Sequence, residues 1–108
     1  MPNLTIFIHA EKMPPAENLA ELTERCTQLC TDILQAALDK VHVIYVAAHH
    51  GHGHPAYAEL KYRLGPVRTP SVMDAFMVRL DELIKHHTGL TVRIRCFGYP
   101  IPAIHAKH

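Results

Sequence analysis

Six periodic runs follow one another in the order strand, helix, strand, strand, helix, strand, and that order constrains the fold more than any other feature. In PNLTIFIHA, Leu4, Ile6 and Ile8 fall on one face and Thr5, Phe7 and His9 on the other, the two-residue alternation of a strand. KMPPAEN breaks it. Pro14 and Pro15 suit the opening of a helix, whose first N–H groups lack intrahelical partners, and Leu19, Leu22, Cys26, Leu29, Cys30 and Ile33 recur at helical spacing. VHVIYVAA, from Val41, is almost continuously apolar, which predicts a strand buried on both faces inside a sheet and makes His42 a core histidine.

The second half repeats the pattern. Ala58, Leu60, Tyr62 and Leu64 alternate with Tyr57, Glu59, Lys61 and Arg63 in a third strand. Thr69 and Pro70 read as the N-cap and first residue of a helix whose apolar stripe includes Val72, Met73, Phe76, Leu80 and Ile84, with Gly89 as the residue that stops it. A fourth strand sets Val92, Ile94 and Cys96 against Arg93, Arg95 and Phe97. Strands joined through a helix are parallel with a right-handed crossover. The expected fold is α+β: two β-α-β repeats forming a four-stranded mixed sheet with two helices on one face. We read residues 1–108 as a single domain with repeat halves of about 2–48 and 57–98. The other sheet face is left uncovered, and in so short a chain a neighbouring subunit is the economical cover, so an oligomer is expected.

Lys and Arg number 11 against 10 Asp and Glu, a balance that offers no polyelectrolyte surface for nucleic acid. No apolar run reaches membrane-spanning length and no charged leader precedes one, so no membrane partner and a cytoplasmic location are expected. Cys26, Cys30 and Cys96 are an odd set without a Cys-x-x-Cys spacing, which fits reduced thiols. The ten histidines are conspicuous, four of them (His49, His50, His52 and His54) in the glycine-containing loop HHGHGHP. That loop reads either as a solvated turn or as a transition-metal site of a metal-handling protein. His87 and His105 read as structural or surface residues.

Pro2 follows Met1 directly. Proline is tolerated at the start of a strand because its missing N–H costs nothing there; with Met1 removed it would be a secondary amine, a candidate base. Together with the doubled β-α-β order and the uncovered sheet face, this resembles the tautomerase superfamily, which includes 4-oxalocrotonate tautomerase (4-OT) and macrophage migration inhibitory factor. HAEK places Lys12 where the bacterial members carry an arginine, VHVI places His42 at a second arginine position, and Arg93 and Arg95 sit on the last strand, which offers polar groups to a neighbour's pocket in the longer members.

The resemblance implies a fold like that of macrophage migration inhibitory factor, a homotrimer with sites at subunit boundaries, no metal and no organic cofactor. It implies Pro2 as general base and Lys12, His42, Arg93 and Arg95 as substrate-binding groups for a small anionic enol or keto acid. An apolar pocket and nearby cations would lower the amine's pKa by desolvation and like-charge repulsion, and a base poised near the working pH is the efficient one. Related members keep the proline protonated and use it as an acid in hydration, dehalogenation or decarboxylation. A non-catalytic trimeric protein is the remaining alternative.

Overall fold

The computed structural model describes residues 1–108. It contains strand β1 (Asn3–His9), helix α1 (Ala16–Asp32), strand β2 (His42–Ala48), strand β3 (Ala56–Arg63), helix α2 (Pro70–Thr88) and strand β4 (Val92–Tyr99), with single 3-10 turns at Ala10–Lys12, Leu38–Lys40 and Ile101–Ala103. The sheet order is β2-β1-β3-β4, parallel between β1 and β2 and between β3 and β4, antiparallel between β1 and β3. It is therefore the expected mixed sheet. Leu4, Ile6 and Ile8 from β1 and Ala56, Ala58, Leu60 and Tyr62 from β3 point to the helix layer, where they meet Leu22, Cys26, Leu29 and Cys30 of α1 and Met73, Phe76, Leu80 and Ile84 of α2. Burial alternates residue by residue along β1 and β3 because one face is covered and the other open.

Helix α2 follows its sequence signals. Thr69 Oγ1 accepts from the Val72 N–H at 3.4 Å, Pro70 is the first helical residue, and Gly89 turns left-handed at φ 72° while its N–H donates to the Lys85 carbonyl at 2.8 Å. Lys85, His86 and His87 occupy the last turn, where positive charge suits the helix dipole. Helix α1 begins one residue later than its prolines suggest: Pro15 is the N-cap, and its carbonyl accepts from Asn18 and Leu19. At its far end Gln35 adopts φ 52° and the Ala36 N–H returns to the Cys30 carbonyl. A side chain there is strained, since Cβ crowds the following carbonyl. Gln35→Gly is expected to raise stability by about 0.5–1 kcal/mol, the steric relief exceeding the added chain entropy; a lower melting temperature would mean that the glutamine side chain holds the turn.

Strand β2 departs from its reading. It lies at an edge of the sheet rather than inside it: Val43 and Tyr45 pack on the core, whereas His42 and Ile44 are exposed, Ile44 by 56%. The crossover of α1 deposits β2 outside β1, and nothing in the chain covers the open face, so an apolar run does not become a strand buried on both sides. His42 is accordingly no core histidine. Leu64, assigned to the third strand, lies beyond β3 and is 45% exposed.

The three thiols are free, with Cys26 and Cys30 buried and Cys96 half-buried. Burial pushes Cys26 up to about 12 and Cys30 and Cys96 up to about 11. It also pushes Tyr45 up to about 12, against the hydrogen bond that its hydroxyl shares with Thr23 Oγ1 at 2.8 Å. All four hold their protons more firmly folded than unfolded, so their contribution is full below the ordinary thiol value of 9.0 and is lost as pH rises towards the folded values. The urea midpoint is expected to be level up to about pH 9 and to fall between about pH 9 and 11; an unchanged midpoint across that window would contradict the burial of these groups.

Candidate active site

Pro2 lies just before β1, its ring fully buried on the helix side of the sheet in line with Leu4 and Ile6. Its carbonyl accepts from the His42 N–H at 3.1 Å, which fastens the start of β1 to the start of β2. Met1 and Asn3, on either side of it, line a cleft of about 800 Å³ with Lys40, His42, Ile44, Arg63 and Arg68, closed on one side by the tail from Ile104 to His108. His105 is thus a wall residue of this cleft.

Pairing explains the cluster. Strand β3 runs antiparallel to β1 with Asn3 opposite Lys61, so two residues further along Arg63 is carried past the beginning of β1 to the terminal segment. Lys40 closes the turn before β2, whose first residue pairs with Asn3. Arg68 is anchored: its Nε donates to the Leu34 carbonyl at 3.1 Å and its Nη1 to the Arg63 carbonyl at 2.8 Å. The α-ammonium of Met1 is held below its usual value, first by burial and then by Arg63, Lys40 and Arg68. An amine at this place therefore loses its proton more readily than one in water.

Of the sequence-predicted residues, only His42 shares this cleft with the Pro2 segment. Lys12 lies beyond the other end of β1, which at seven residues is roughly 20 Å long. Arg93 and Arg95, on β4, line a separate concavity at the start of β3. Lys40, Arg63 and Arg68 were not singled out by sequence reading. None belongs to a motif, and only the antiparallel register of β1 with β3 shows that the end of one strand meets the beginning of the other.

The histidine-rich loop passes over the end of β1, where the His9 N–H donates to the Pro55 carbonyl at 3.0 Å and the His9 ring stacks on His50 with centroids 5.3 Å apart. No three His, Cys, Asp or Glu side chains converge anywhere in the chain in a way that would hold a metal ion. His87 lies in the seam between the helices, Nδ1 at 3.8 Å from Glu21 Oε2, with its carbonyl accepting from Asn18 Nδ2 at 3.4 Å.

No protein-family model and no curated protein matches the sequence. Solved structures do match the fold. A native fused 4-OT superposes with a TM-score of 0.84 at 20% identity, covering 97% of this chain and 92% of its own. A member of the cis-3-chloroacrylic acid dehalogenase family gives 0.80 at 18% identity, over 97% of this chain and 80% of the other. The chain has the tautomerase-superfamily fold. A second fused 4-OT, solved as an asymmetric trimer, gives 0.80 at 19% identity over 97% and 92% of the two chains. At these identities the likeness is one of fold, and a fold does not fix a reaction, so the residues of the cleft must carry any functional argument. No helix is long and apolar enough to cross a membrane.

Proposed function

We propose that the chain, once Met1 is removed, is a cofactor-independent tautomerase that uses the Pro2 amine as general base on small unsaturated 2-hydroxy or 2-keto acids. The observation that carries this reading is the placement of the terminal segment in a cleft among Lys40, Arg63 and Arg68. Loss of Met1 would make the Pro2 nitrogen the terminal amine, one residue from the Met1 position at which burial and the Arg63, Lys40 and Arg68 cations disfavour the charged form.

In the forward direction the Pro2 nitrogen takes the proton from the enol hydroxyl, the O–H electron pair forms the new carbonyl, and the displaced π pair becomes the carbanionic end of the dienolate. The protonated amine then returns its proton to that carbon and is regenerated. The sum is an enol-to-keto isomerisation with no oxidant or co-reactant. Lys40 and Arg63 bind the substrate carboxylate, and the fixed charge of Arg68 favours the dienolate and the neutral amine, as cations preorganised toward developing negative charge do. His42 borders the same space.

A homotrimer belongs to this proposal. Ile44, Phe97 and Ile101 expose 56%, 41% and 62% of their surface in the isolated chain, and a fused 4-OT of the same fold is a trimer. Lys12, on the far end of β1, would reach a Pro2 cleft only from a neighbouring copy.

The test compares forms with and without Met1, distinguished by intact mass, on 2-hydroxymuconate-like and phenylenolpyruvate-like enols. Ketonisation is expected only from the form that begins at Pro2. Its kcat/KM should rise with pH through an amine pKa below that of a free secondary amine, because burial and cations disfavour the protonated form. Equal rates from both forms would remove the proline from the mechanism. Sedimentation should give three chains per particle, and a stable monomer at micromolar concentration would remove the trimer.

A further inference from the structure

Two main-chain carbonyls beside the Pro2 cleft have no partner in the helix or strand that leads to them, and one side chain takes both. Strand β3 pairs with β1 only as far as Lys61, opposite Asn3. Beyond it, the Leu64 N–H donates to the Tyr99 carbonyl on the β4 side at 2.9 Å. In a trans peptide the carbonyl points opposite to the N–H that shares its plane, so the Arg63 carbonyl faces the β1 side, where the ladder with β1 has already ended. Leu34 likewise lies past Asp32, the last residue of α1, among the carbonyls that a helix end leaves unpaired.

Arg68 answers both. Its Nη1 donates to the Arg63 carbonyl at 2.8 Å and its Nε to the Leu34 carbonyl at 3.1 Å, so one planar guanidinium ties the end of β3 to the end of α1. Its own N–H donates to the Gly65 carbonyl at 3.2 Å, which closes the intervening loop into a turn. A cation there also suits the negative end of the α1 dipole. The chain bends sharply at that helix end, where Gln35 takes φ 52° next to the carbonyl that Arg68 holds. Backbone strain of this kind persists only where neighbouring groups hold it, and the Leu34–Arg68 bond is such a hold.

The clamp bears on the site through Arg63. Extending the antiparallel register of β1 and β3 beyond Asn3 and Lys61 sets Arg63 level with Met1. After burial, Arg63 is the largest influence holding the terminal amine below its usual value, ahead of Lys40 and Arg68. Arg63 has no carboxylate partner, the chain's one ion pair being His87 with Glu21. Its guanidinium therefore takes its place from the backbone that carries it.

We propose that Arg68 is a positioning residue of the Pro2 cleft, acting through Arg63: by joining the ends of β3 and α1 it keeps the Arg63 guanidinium beside the terminal amine. This role is distinct from the charge that Arg68 itself adds, because a lysine would supply the charge without the two-pronged hold. Its value for catalysis rests on the tautomerase reading; its effect on the amine does not.

The terminal amine of the full chain, on Met1 or on Pro2 after processing, is titrated by the NMR shifts of the carbons beside it. Arg68→Lys is expected to raise its pKa toward that of a free amine, because Arg63 moves away while the number of charges stays the same. In the Arg63→Gln background the same change should shift it no further. Where enols are turned over, Arg68→Lys should raise KM roughly fivefold in the parent and less than about twofold in Arg63→Gln, the mark of two residues acting as a unit. Ile84→Val, a core change on α2 about 20 Å along the helix from its start, lowers stability without touching the clamp and should leave the amine unmoved. An Arg68→Lys chain that titrates with the parent overturns the proposal. So does an equal shift in both backgrounds, which would make Arg68 act on the amine by itself, or a shift of the same size from Ile84→Val, which would mean general loosening. A parent that turns over no enol, with the titration pattern as expected, ends the tautomerase reading and leaves the clamp standing.

Discussion

Replacing Pro2 by alanine in the chain that starts at residue 2 is expected to lower kcat/KM for enol ketonisation by about 100-fold or more, the range over which a positioned general base acts. Alanine leaves a primary amine, of different basicity and free to rotate, where proline holds its nitrogen in a ring packed against the core. Because that ring is fully buried, the substitution also opens a small cavity, and a cost of about 1 kcal/mol is expected from the lost methylene groups. Stability and rate must therefore be measured on the same preparation. A variant that keeps its urea midpoint within that margin and loses turnover isolates the amine. One that converts enols as fast as the parent ends the proposal.

Phe76→Ala is expected to have the largest effect on stability, about 3–5 kcal/mol. Phe76 is 0% exposed on the core face of α2, between Met73 and Leu80, and it is among the largest fully buried side chains. A small domain has about 5–15 kcal/mol in total, so the variant should be partly unfolded at 37 °C and should shift the urea midpoint far more than Phe76→Leu, which fills most of the same volume. The consequence reaches the cleft. Helix α2 links β3 to β4 and begins directly after the loop that carries Arg68, so its loosening should release Arg68 from the Leu34 and Arg63 carbonyls. A loss of less than about 1 kcal/mol would mean that the site collapses around the missing ring and that the helix layer is not the main support of the sheet.

Much of this molecule was legible from neighbouring residues. Alternation in LTIFIH and YAELKYR is a consequence of strand geometry, helical spacing of Cys26, Leu29 and Cys30 a consequence of helix geometry, and the Thr69-Pro70 start and Gly89 stop of α2 are local hydrogen-bonding and steric facts. The candidate site was legible only in part. Pro2 and His42 were singled out from sequence as candidates, and their backbones are joined by a hydrogen bond. Lys40, Arg63 and Arg68 were not found, because they lie on three separate segments that carry no shared pattern.

What the sequence by itself determined is the identity, order and inward face of the strands and helices, since these depend on periods of two and 3.6 residues and on caps read within a few positions. Only the tertiary structure decided which strand lies at the edge and which residues gather round the amine. The order β2-β1-β3-β4 leaves the apolar β2 half uncovered, and the antiparallel register of β1 with β3 brings Arg63 to the Pro2 segment while carrying Lys12 to the opposite end of the sheet. Such placements are set by pairing between segments far apart in the chain, where a single shift in register changes every neighbour without altering any local pattern.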